Sequence, residues 1–198
     1  MKKLLIASNN DHKFQEISAL LADLPLELLK PKDLGIYLDV PETGASYYAN
    51  ALIKARAFHE ASQLPVLADD SGLEVVTLDG MPAIYSHRFT PIDGATDRDR
   101  CFYMLGRLAK KPEPWIAAFQ CTAMLYINLK EVYSSHGVCP GQIIMNYRGE
   151  NGFGYDPIFL VAGENKTMAE LTRERKNEVS HRARAIQALD RLKDWAQS

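Results

Sequence analysis

Two adjacent carboxylates follow a short apolar run in the segment Val66–Leu73, which reads Val-Leu-Ala-Asp-Asp-Ser-Gly-Leu. A buried strand that ends at Asp69 and Asp70 would place both acids at the edge of a sheet, where open α/β folds bind ligands. Carboxylates this close repel each other unless a cation or a shared proton relieves the repulsion. Mg²⁺ with a phosphorylated ligand would do so, because it is usually held by one or two carboxylates plus phosphates. An acidic strand-to-turn junction without chemistry is an equal alternative, because Asp, Ser and Gly all favour turns.

The segment Ser8–Lys13 joins the first predicted strand to the first predicted helix. Backbone N–H groups at a helix start favour anions, and Ser8 and Asn10 add neutral donors. Lys13, in the first turn, could reach a phosphate. The segment lacks the glycine spacing of a known phosphate-binding loop. On its own it is therefore better explained as a plain helix cap with a solvated lysine.

Two glycines flank an aromatic residue in the segment Gly152–Pro157. Glycine lets the backbone approach a ligand closely, and Phe153 and Tyr155 could sandwich a planar ring. Asp156, held extended by the proline that follows it, offers acceptors for ring or ribose donors. This composition favours a ligand loop over the alternative, a tight turn with core aromatics.

A basic cluster lies beside the last predicted helix, where Lys176 is followed by Ser180, His181 and Arg182. Lysine and arginine on either side of a histidine can donate to a phosphate or to a base carbonyl. Further arginines make this neighbourhood generally basic. A solvated helix face is therefore the favoured explanation for this cluster by itself.

The elements that would position these residues follow from hydrophobic periodicity and capping residues. The predicted helices are Asp11–Leu21, a segment from a Thr43 cap to about Gln63, Thr96–Leu108 and Asn177–Ala196. The predicted strands are Lys3–Ala7, Leu26–Leu29, Pro65–Ala68, Leu73–Leu78, Ile116–Leu129, Glu131–Val138, Ile143–Asn146 and Ile158–Val161. The fifth and sixth strands form a predicted hairpin, and the mixture of crossovers and hairpins predicts an α/β protein with a mixed sheet.

Composition narrows the class of protein. A chain of 198 residues can bury a full core and is most simply one domain. A net charge of −2 argues against a nucleic-acid partner, and no apolar stretch is long enough for a membrane span or a secretory leader. Cys101, Cys121 and Cys139 are odd in number and fit no metal-ligand spacing. They predict reduced thiols in a cytoplasmic protein.

Taken together, these segments resemble the inosine/xanthosine triphosphate pyrophosphatase family. The resemblance extends from Leu5 to about Leu192 and is carried in order by Ala68–Leu73, Pro82–Ser86, Gly152–Pro157 and Ser180–Arg182. It implies a single nucleoside-triphosphate pyrophosphatase domain over residues 1–198. The implied fold is an elongated α/β domain with a long mixed sheet flanked by helices, and with the active site in a cleft between two lobes. The implied reaction is the Mg²⁺-dependent hydrolysis of ITP, dITP and XTP to the monophosphate and pyrophosphate, by a homodimer.

The resemblance also implies roles for individual residues. Asp70 would be the catalytic base and a metal ligand, with Glu42 as a second ligand and Asp69 as a third. The implied substrate-binding residues are Ser8, Asn9, Asn10, Asp11, His12, Lys13, Ser71, Phe153, Gly154, Tyr155, Asp156, Lys176, His181 and Arg182. Asn50 and Lys54, four residues apart on one predicted helix face, would support the phosphate end.

Base selection would follow from donors on His181 and Arg182. They suit a 6-oxo purine, whereas adenine would leave them unpaired. Three residues depart from the family pattern: His12 replaces a common glycine, Ala49 a usual glutamate and His87 a small residue. We expect these departures to affect the rate of the reaction and the number of metal ions bound, more than the class of reaction. The alternative functions are a non-catalytic nucleotide or RNA binder, and a phosphatase acting on monophosphates.

Overall fold

The computed structural model describes all 198 residues, arranged as seven strands and six α-helices. The strands are β1 (Lys2–Ile6), β2 (Leu26–Leu29), β3 (Val66–Val75), β4 (Pro82–Ala83), β5 (Trp115–Asn128), β6 (Glu131–Ile143) and β7 (Phe159–Val161). The helices are α1 (Asp11–Leu20), α2 (Tyr47–Ser62), α3 (Asp97–Leu108), α4 (Arg173–Val179), α5 (His181–Gln187) and α6 (Asp190–Gln197).

All seven strands belong to one sheet, in the order β2-β1-β3-β5-β6-β7, with β4 paired to β3. β1 is parallel to both β2 and β3, as expected when helices connect the strands. β4 is antiparallel to β3, and β7 is antiparallel to β6. The prediction of an α/β fold with a long mixed sheet flanked by helices is therefore confirmed.

The chain divides into two compact units, each with its own buried core. Unit 1 comprises Met1–Asp70, Cys121–Gly137 and Arg182–Ser198, and unit 2 comprises Ser71–Gln120 and Val138–His181. Unit 1 has two apolar clusters, one that includes Ile17 of α1 and one that includes Phe58 of α2. The core of unit 2 includes Met104, Trp115 and Phe159. The single domain and the cleft location of the active site stay predictions.

The strand that carries the paired acids is longer than predicted. β3 continues through Ser71 and Gly72 to Val75, so the predicted strand-to-turn junction is wrong. The register with β1 pairs Ile6 with Leu67, and β1 ends at that pair. Asp69 and Asp70 therefore lie just beyond the carboxyl end of a parallel neighbour, which is where ligands bind in open α/β sheets.

The helix after the second strand starts later than predicted. Ser46, not Thr43, caps α2, and its hydroxyl accepts a hydrogen bond from the Ala49 N–H at 3.1 Å. Residues 36–46 form an irregular segment instead. The N–H of Gly44 donates to Asn50 Oδ1 at 2.8 Å, and a Cβ at Gly44 would lie only 2.6 Å from the Ala49 Cβ. Glycine is therefore required for the close approach of this segment to α2.

The C-terminal region also differs from the prediction. The single helix expected over Asn177–Ala196 is three short helices, interrupted at Ser180 and again before Asp190. The predicted strand Ile143–Asn146 is wrong, because only Ile143 is in a strand and it is the last residue of β6. The predicted hairpin of β5 and β6 is confirmed, and β6 is longer than expected. None of the helices combines the length and the apolar character that crossing a bilayer requires. All three cysteines are buried, and none forms a disulfide.

Candidate functional site

In unit 1, two residues of α2 hold the side chain of Asp70. Asn50 Nδ2 donates to Asp70 Oδ2 at 3.1 Å, and Lys54 Nζ lies 3.3 Å from Oδ1. Asn50 and Lys54 are one helical turn apart, so both face the same strand. Lys54 Nζ also donates to Glu42 Oε1 at 2.7 Å. The structure thus brings together the predicted base, a second predicted ligand and both predicted supporting residues.

The electrostatics of Asp70 suit proton transfer. Burial raises the pKa of Asp70, the Lys54 ammonium opposes this effect, and the Glu42 carboxylate adds to it. Burial would lower the pKa of Lys54, but the surrounding carboxylates hold that pKa above its ordinary value. A carboxylate with a raised pKa is a stronger proton acceptor once it is ionised, which is the property that a general base requires.

Glu42 and Asp70 also form a donor set for a metal ion. Both carboxylates already contact one ammonium group, so a positive charge is accommodated between them. No group of three or more His, Cys, Asp or Glu side chains in the chain could hold a metal by itself. Mg²⁺ usually takes one or two carboxylates and completes its coordination with water and phosphate oxygens. The two residues therefore fit a magnesium ion that arrives with a phosphorylated ligand.

Asp69 has different partners from Asp70. Its Oδ2 accepts hydrogen bonds from Lys13 Nζ at 3.1 Å, from Arg182 Nε at 3.2 Å and from Arg182 Nη2 at 3.1 Å. Burial alone would raise the pKa of Asp69, but the Lys13 and Arg182 charges hold it well below the ordinary value. Asp69 is therefore an ionised partner of two cations. These contacts do not support its predicted role as a metal ligand.

The position of Arg182 differs from the predicted contact with a purine base. Its side chain is 1% exposed, and it pairs with the carboxylates of Asp69 and Glu16. Glu16 was missed in the sequence, although it lies three residues after Lys13 on α1 and so shares a helix face with it. Arg182 thus holds Asp69, which in turn holds Lys13.

The first loop is capped as the simpler interpretation predicted. Asn10 Oδ1 accepts from the His12 N–H at 2.9 Å and from the Lys13 N–H at 3.2 Å. The Asn10 N–H donates to Ser8 Oγ at 3.1 Å. Lys13, however, is not a solvated lysine, because its ammonium pairs with the buried Asp69. The structure therefore combines an ordinary cap with one positioned cation.

The remaining loop residues contact other parts of unit 1. Asn9 Nδ2 donates to the Leu38 carbonyl at 3.0 Å, which connects the loop to the segment that carries Glu42. Asp11 pairs with Lys30 at 2.5 Å, and His12 is exposed. Asn9 and Asp11 therefore stabilise the surroundings of the loop, and their predicted contacts with substrate stay predictions.

In unit 2, three of the predicted site residues form one cluster. Asp156 Oδ2 accepts from Lys176 Nζ at 2.6 Å and from the Phe153 N–H at 3.0 Å. Lys176 Nζ also lies 5.1 Å from the centroid of the half-buried Phe153 ring. One buried carboxylate therefore fixes both an aromatic face and a cation, and these are the groups that a nucleobase can use.

Tyr155 does not form the second side of the predicted aromatic sandwich. Its side chain is buried in the core of unit 2, and its hydroxyl donates to the Ser86 carbonyl at 2.8 Å. His181 is also buried and stacks on the Phe119 ring, with centroids 4.7 Å apart. Ser71 is partly buried on β3. Tyr155 thus anchors the loop in the core of unit 2, and His181 packs against Phe119. Phe119 was not identified from the sequence, because only packing brings it to His181.

We expect the two glycines of the loop to tolerate alanine differently. Gly152 and Gly154 have φ of +78° and +63°, in the left-handed region of the backbone. An alanine at either position therefore lowers the free energy of unfolding by about 1–2 kcal/mol through backbone strain. A Cβ at Gly152 would lie 2.0 Å from Asp156 Oδ2, whereas one at Gly154 meets nothing within 4 Å. Gly152→Ala should therefore lower the free energy of unfolding by about 1–3 kcal/mol more than Gly154→Ala. Urea denaturation measures both variants, and equal losses would contradict the close approach at Gly152.

Comparison with known proteins identifies the family. The chain matches the profile of the Ham1 family over residues 4–192. It is 41% identical to the dITP/XTP pyrophosphatase of Aquifex aeolicus, over 94% of each chain, and 40% identical to that of Escherichia coli, over 96% of each chain. Its fold is similar to the structure of a HAM1 protein from Coxiella burnetii, with a TM-score of 0.87, 37% identity, and coverage of 97% of this chain and 98% of that one. The resemblance in the motifs is thereby confirmed, and the chain belongs to the Ham1 family.

Proposed function

We propose that this protein hydrolyses the deaminated purine nucleoside triphosphates dITP, XTP and ITP to the nucleoside monophosphate and pyrophosphate. The names of the relatives, dITP/XTP pyrophosphatase, support the substrate class. The observation that carries the proposal is the position of the buried Asp70, whose carboxylate accepts hydrogen bonds from Asn50 and Lys54. The Lys54 ammonium also donates to Glu42. In this arrangement Asp70 would be a positioned base, and together with Glu42 it would form a pair of cation-binding carboxylates.

The residues of unit 1 would act on the phosphates. Hydrolysis of a phosphoanhydride depends on charge neutralisation and on an oriented water more than on a protein nucleophile. Glu42 and Asp70 would hold Mg²⁺, which when bound neutralises negative charge on the phosphate oxygens. Asp70 would accept the proton of the attacking water, in an orientation that Asn50 maintains. Lys13 would stabilise developing charge on a phosphate, and Asp69 keeps its ammonium in place.

The residues of unit 2 would bind the base. The Phe153 ring offers a face on which a purine can stack, and the ammonium of Lys176 lies beside that ring. His181, which is buried and stacked on Phe119, would contribute a donor for the 6-oxo group of the base, as the family resemblance implies. Arg182 is not needed in this scheme, since its guanidinium binds Asp69 and Glu16.

A pyrophosphate-release assay tests the proposed function. The substrates are dITP, XTP, ITP and the common nucleoside triphosphates, each assayed with Mg²⁺ and again with excess EDTA. We expect pyrophosphate as the first product, release that depends on Mg²⁺, and a preference for the deaminated purines. Orthophosphate as the first product would instead indicate a phosphatase. Nucleotide binding without any product would indicate a non-catalytic binder.

We also propose a homodimer in the cytoplasm. Tyr85 is 52% exposed in the segment after β4, and the Arg88 guanidinium lies 5.2 Å from its ring. Aromatic residues and arginine are enriched at protein interfaces. The three buried cysteines, which form no disulfide, fit a reducing compartment.

Sedimentation at micromolar concentration should therefore report a mass near twice that of the 22.2 kDa chain. Tyr85→Ala should shift the equilibrium toward the monomer, whereas the same change at exposed Tyr37, outside this segment, should not. A fully active wild-type monomer at that concentration would contradict the dimer and leave the catalytic assignment intact.

A further inference from the structure

One end of α3 holds the residue that follows Phe153. Asp97 Oδ2 accepts a hydrogen bond from the Gly154 N–H at 2.7 Å, and Cys101 Sγ donates to the Gly154 carbonyl at 3.3 Å. Asp97 and Cys101 are four residues apart, so they share a helix face. Both polar groups of the Gly154 backbone are therefore bound by one element, from a distant part of the sequence within unit 2.

Asp97 is itself held in one orientation. The Arg100 guanidinium pairs with Asp97 Oδ1, and its Nη1 donates to the Ala95 carbonyl at 2.7 Å. Burial would raise the pKa of Asp97, but the hydrogen bonds from Gly154 and Arg100 hold it below the ordinary value. Asp97 is thus ionised near neutral pH, and a hydrogen bond from a backbone N–H to a charged carboxylate is stronger than a neutral one.

Hydrogen bonds, not packing, fix the backbone at this point. A Cβ built on Gly154 would meet nothing within 4 Å, and its φ of +63° lies in a region that glycine can readily leave. Two carboxylates bind two successive N–H groups there: Asp156 binds that of Phe153, and Asp97 binds that of Gly154. Loss of Asp97 would leave the peptide that joins Phe153 to Gly154 with one hydrogen bond, the 3.3 Å contact from the Asp156 N–H to the Phe153 carbonyl. The direction of the Phe153 ring depends on that peptide.

We propose that Asp97 is a positioning residue for base recognition: it fixes the Phe153–Gly154 peptide and thereby the aromatic face on which the purine stacks. This inference rests on the proposed function. Asp97 acts through the loop and does not take part in phosphate chemistry. Its loss therefore weakens the binding of ligands that carry a base and spares the binding of phosphates alone.

The test compares Asp97→Ala and Asp97→Asn with Asp99→Ala. Asp99 lies in the same first turn of α3 and accepts from the Thr96 N–H at 2.9 Å, so it stabilises the helix start without contacting the loop. Three quantities are measured: KM and kcat for dITP, the inhibition constant of the product-like nucleotide IMP, and that of inorganic tripolyphosphate, which has no base.

For Asp97→Ala we expect KM for dITP and the IMP inhibition constant to rise about tenfold or more, with kcat within about twofold. The tripolyphosphate constant should stay unchanged. Asp97→Asn keeps an acceptor oxygen and should raise KM about threefold, and Asp99→Ala should leave all three quantities within about twofold.

Two results would overturn the inference: an unchanged KM in Asp97→Ala, or a tripolyphosphate constant that rises in parallel with KM. If Asp97→Ala does not fold, an unchanged KM in Asp97→Asn overturns it in the same way. A wild-type protein that releases no pyrophosphate from dITP would instead refute the proposed function. The wild-type assay therefore separates the two failures.

Discussion

Asp70→Asn is expected to lower kcat for dITP hydrolysis by at least ~10²-fold, because the substitution removes the proton acceptor and a metal-binding carboxylate together. The amide has nearly the same shape and can still interact with Asn50, so the fold should persist. Lys54 keeps its 2.7 Å contact with Glu42. Nucleotide binding, measured by titration calorimetry, should therefore weaken much less than turnover.

A matched control for Asp70→Asn is Glu74→Gln. Glu74 lies on the same strand, and its carboxylate accepts from Gln120 Nε2 at 3.0 Å, apart from the proposed catalytic residues. This variant should keep kcat within about threefold, since an isosteric change of a supporting hydrogen bond costs about 0.5–1.5 kcal/mol at most in stability. Near-normal turnover in Asp70→Asn would remove Asp70 from the mechanism.

Arg182→Ala is expected to lower the free energy of unfolding by about 3–5 kcal/mol, because it leaves buried carboxylates without their cation. Asp69 would lose one of its two cationic partners and keep the Lys13 ammonium. Glu16 would lose its ion pair with Arg182. Urea unfolding monitored by circular dichroism measures the loss. Any loss of activity in the folded fraction should be similar for dITP and ATP, since Arg182 holds Asp69, the partner of the proposed phosphate-binding Lys13.

Arg184→Ala is the control for Arg182→Ala, because Arg184 is an exposed arginine on the same helix. It should change the free energy of unfolding by no more than about 0.5 kcal/mol. Arg182→Met combined with Asp69→Asn removes both charges and should recover part of the loss. A loss of under about 1 kcal/mol in Arg182→Ala, or a selective loss of dITP turnover with stability retained, would contradict this role of Arg182.

The sequence by itself determined the features that depend on neighbouring residues. A cap of α1 at Asn10 or Asp11 and a cap of α3 at Thr96 were predicted, because a side-chain oxygen there satisfies N–H groups two or three residues later. The structure selects Asn10 and Thr96. The β5–β6 hairpin was predicted from two long apolar runs around one short turn. The order of the motifs also sufficed to identify the family.

Pairing between distant segments decided what local signals could not. Gly72 was interpreted as a turn residue, yet it lies inside β3, where a Cβ would come within 2.2 Å of the Ala83 carbonyl. Glycine is needed at this position for the approach of β4 and not for a turn. The same holds for Asp97, because nothing near it in the sequence indicates that its carboxylate binds the N–H of Gly154.

Asp69 and Asp70 are adjacent in the sequence, but the tertiary structure gives them different surroundings. Both residues lie within β3, and neighbouring residues of a strand point to opposite faces of the sheet, so the two carboxylates diverge. Leu67, on the face of Asp69, belongs to the cluster that contains Ile17 of α1, whereas Ala68, on the face of Asp70, belongs to the cluster with α2. Only the packing of helices on the two faces decided that Asp69 meets two buried cations while Asp70 meets Asn50 and Lys54. One of the two adjacent acids is therefore paired with two cations, whereas the other shares a single ammonium with Glu42.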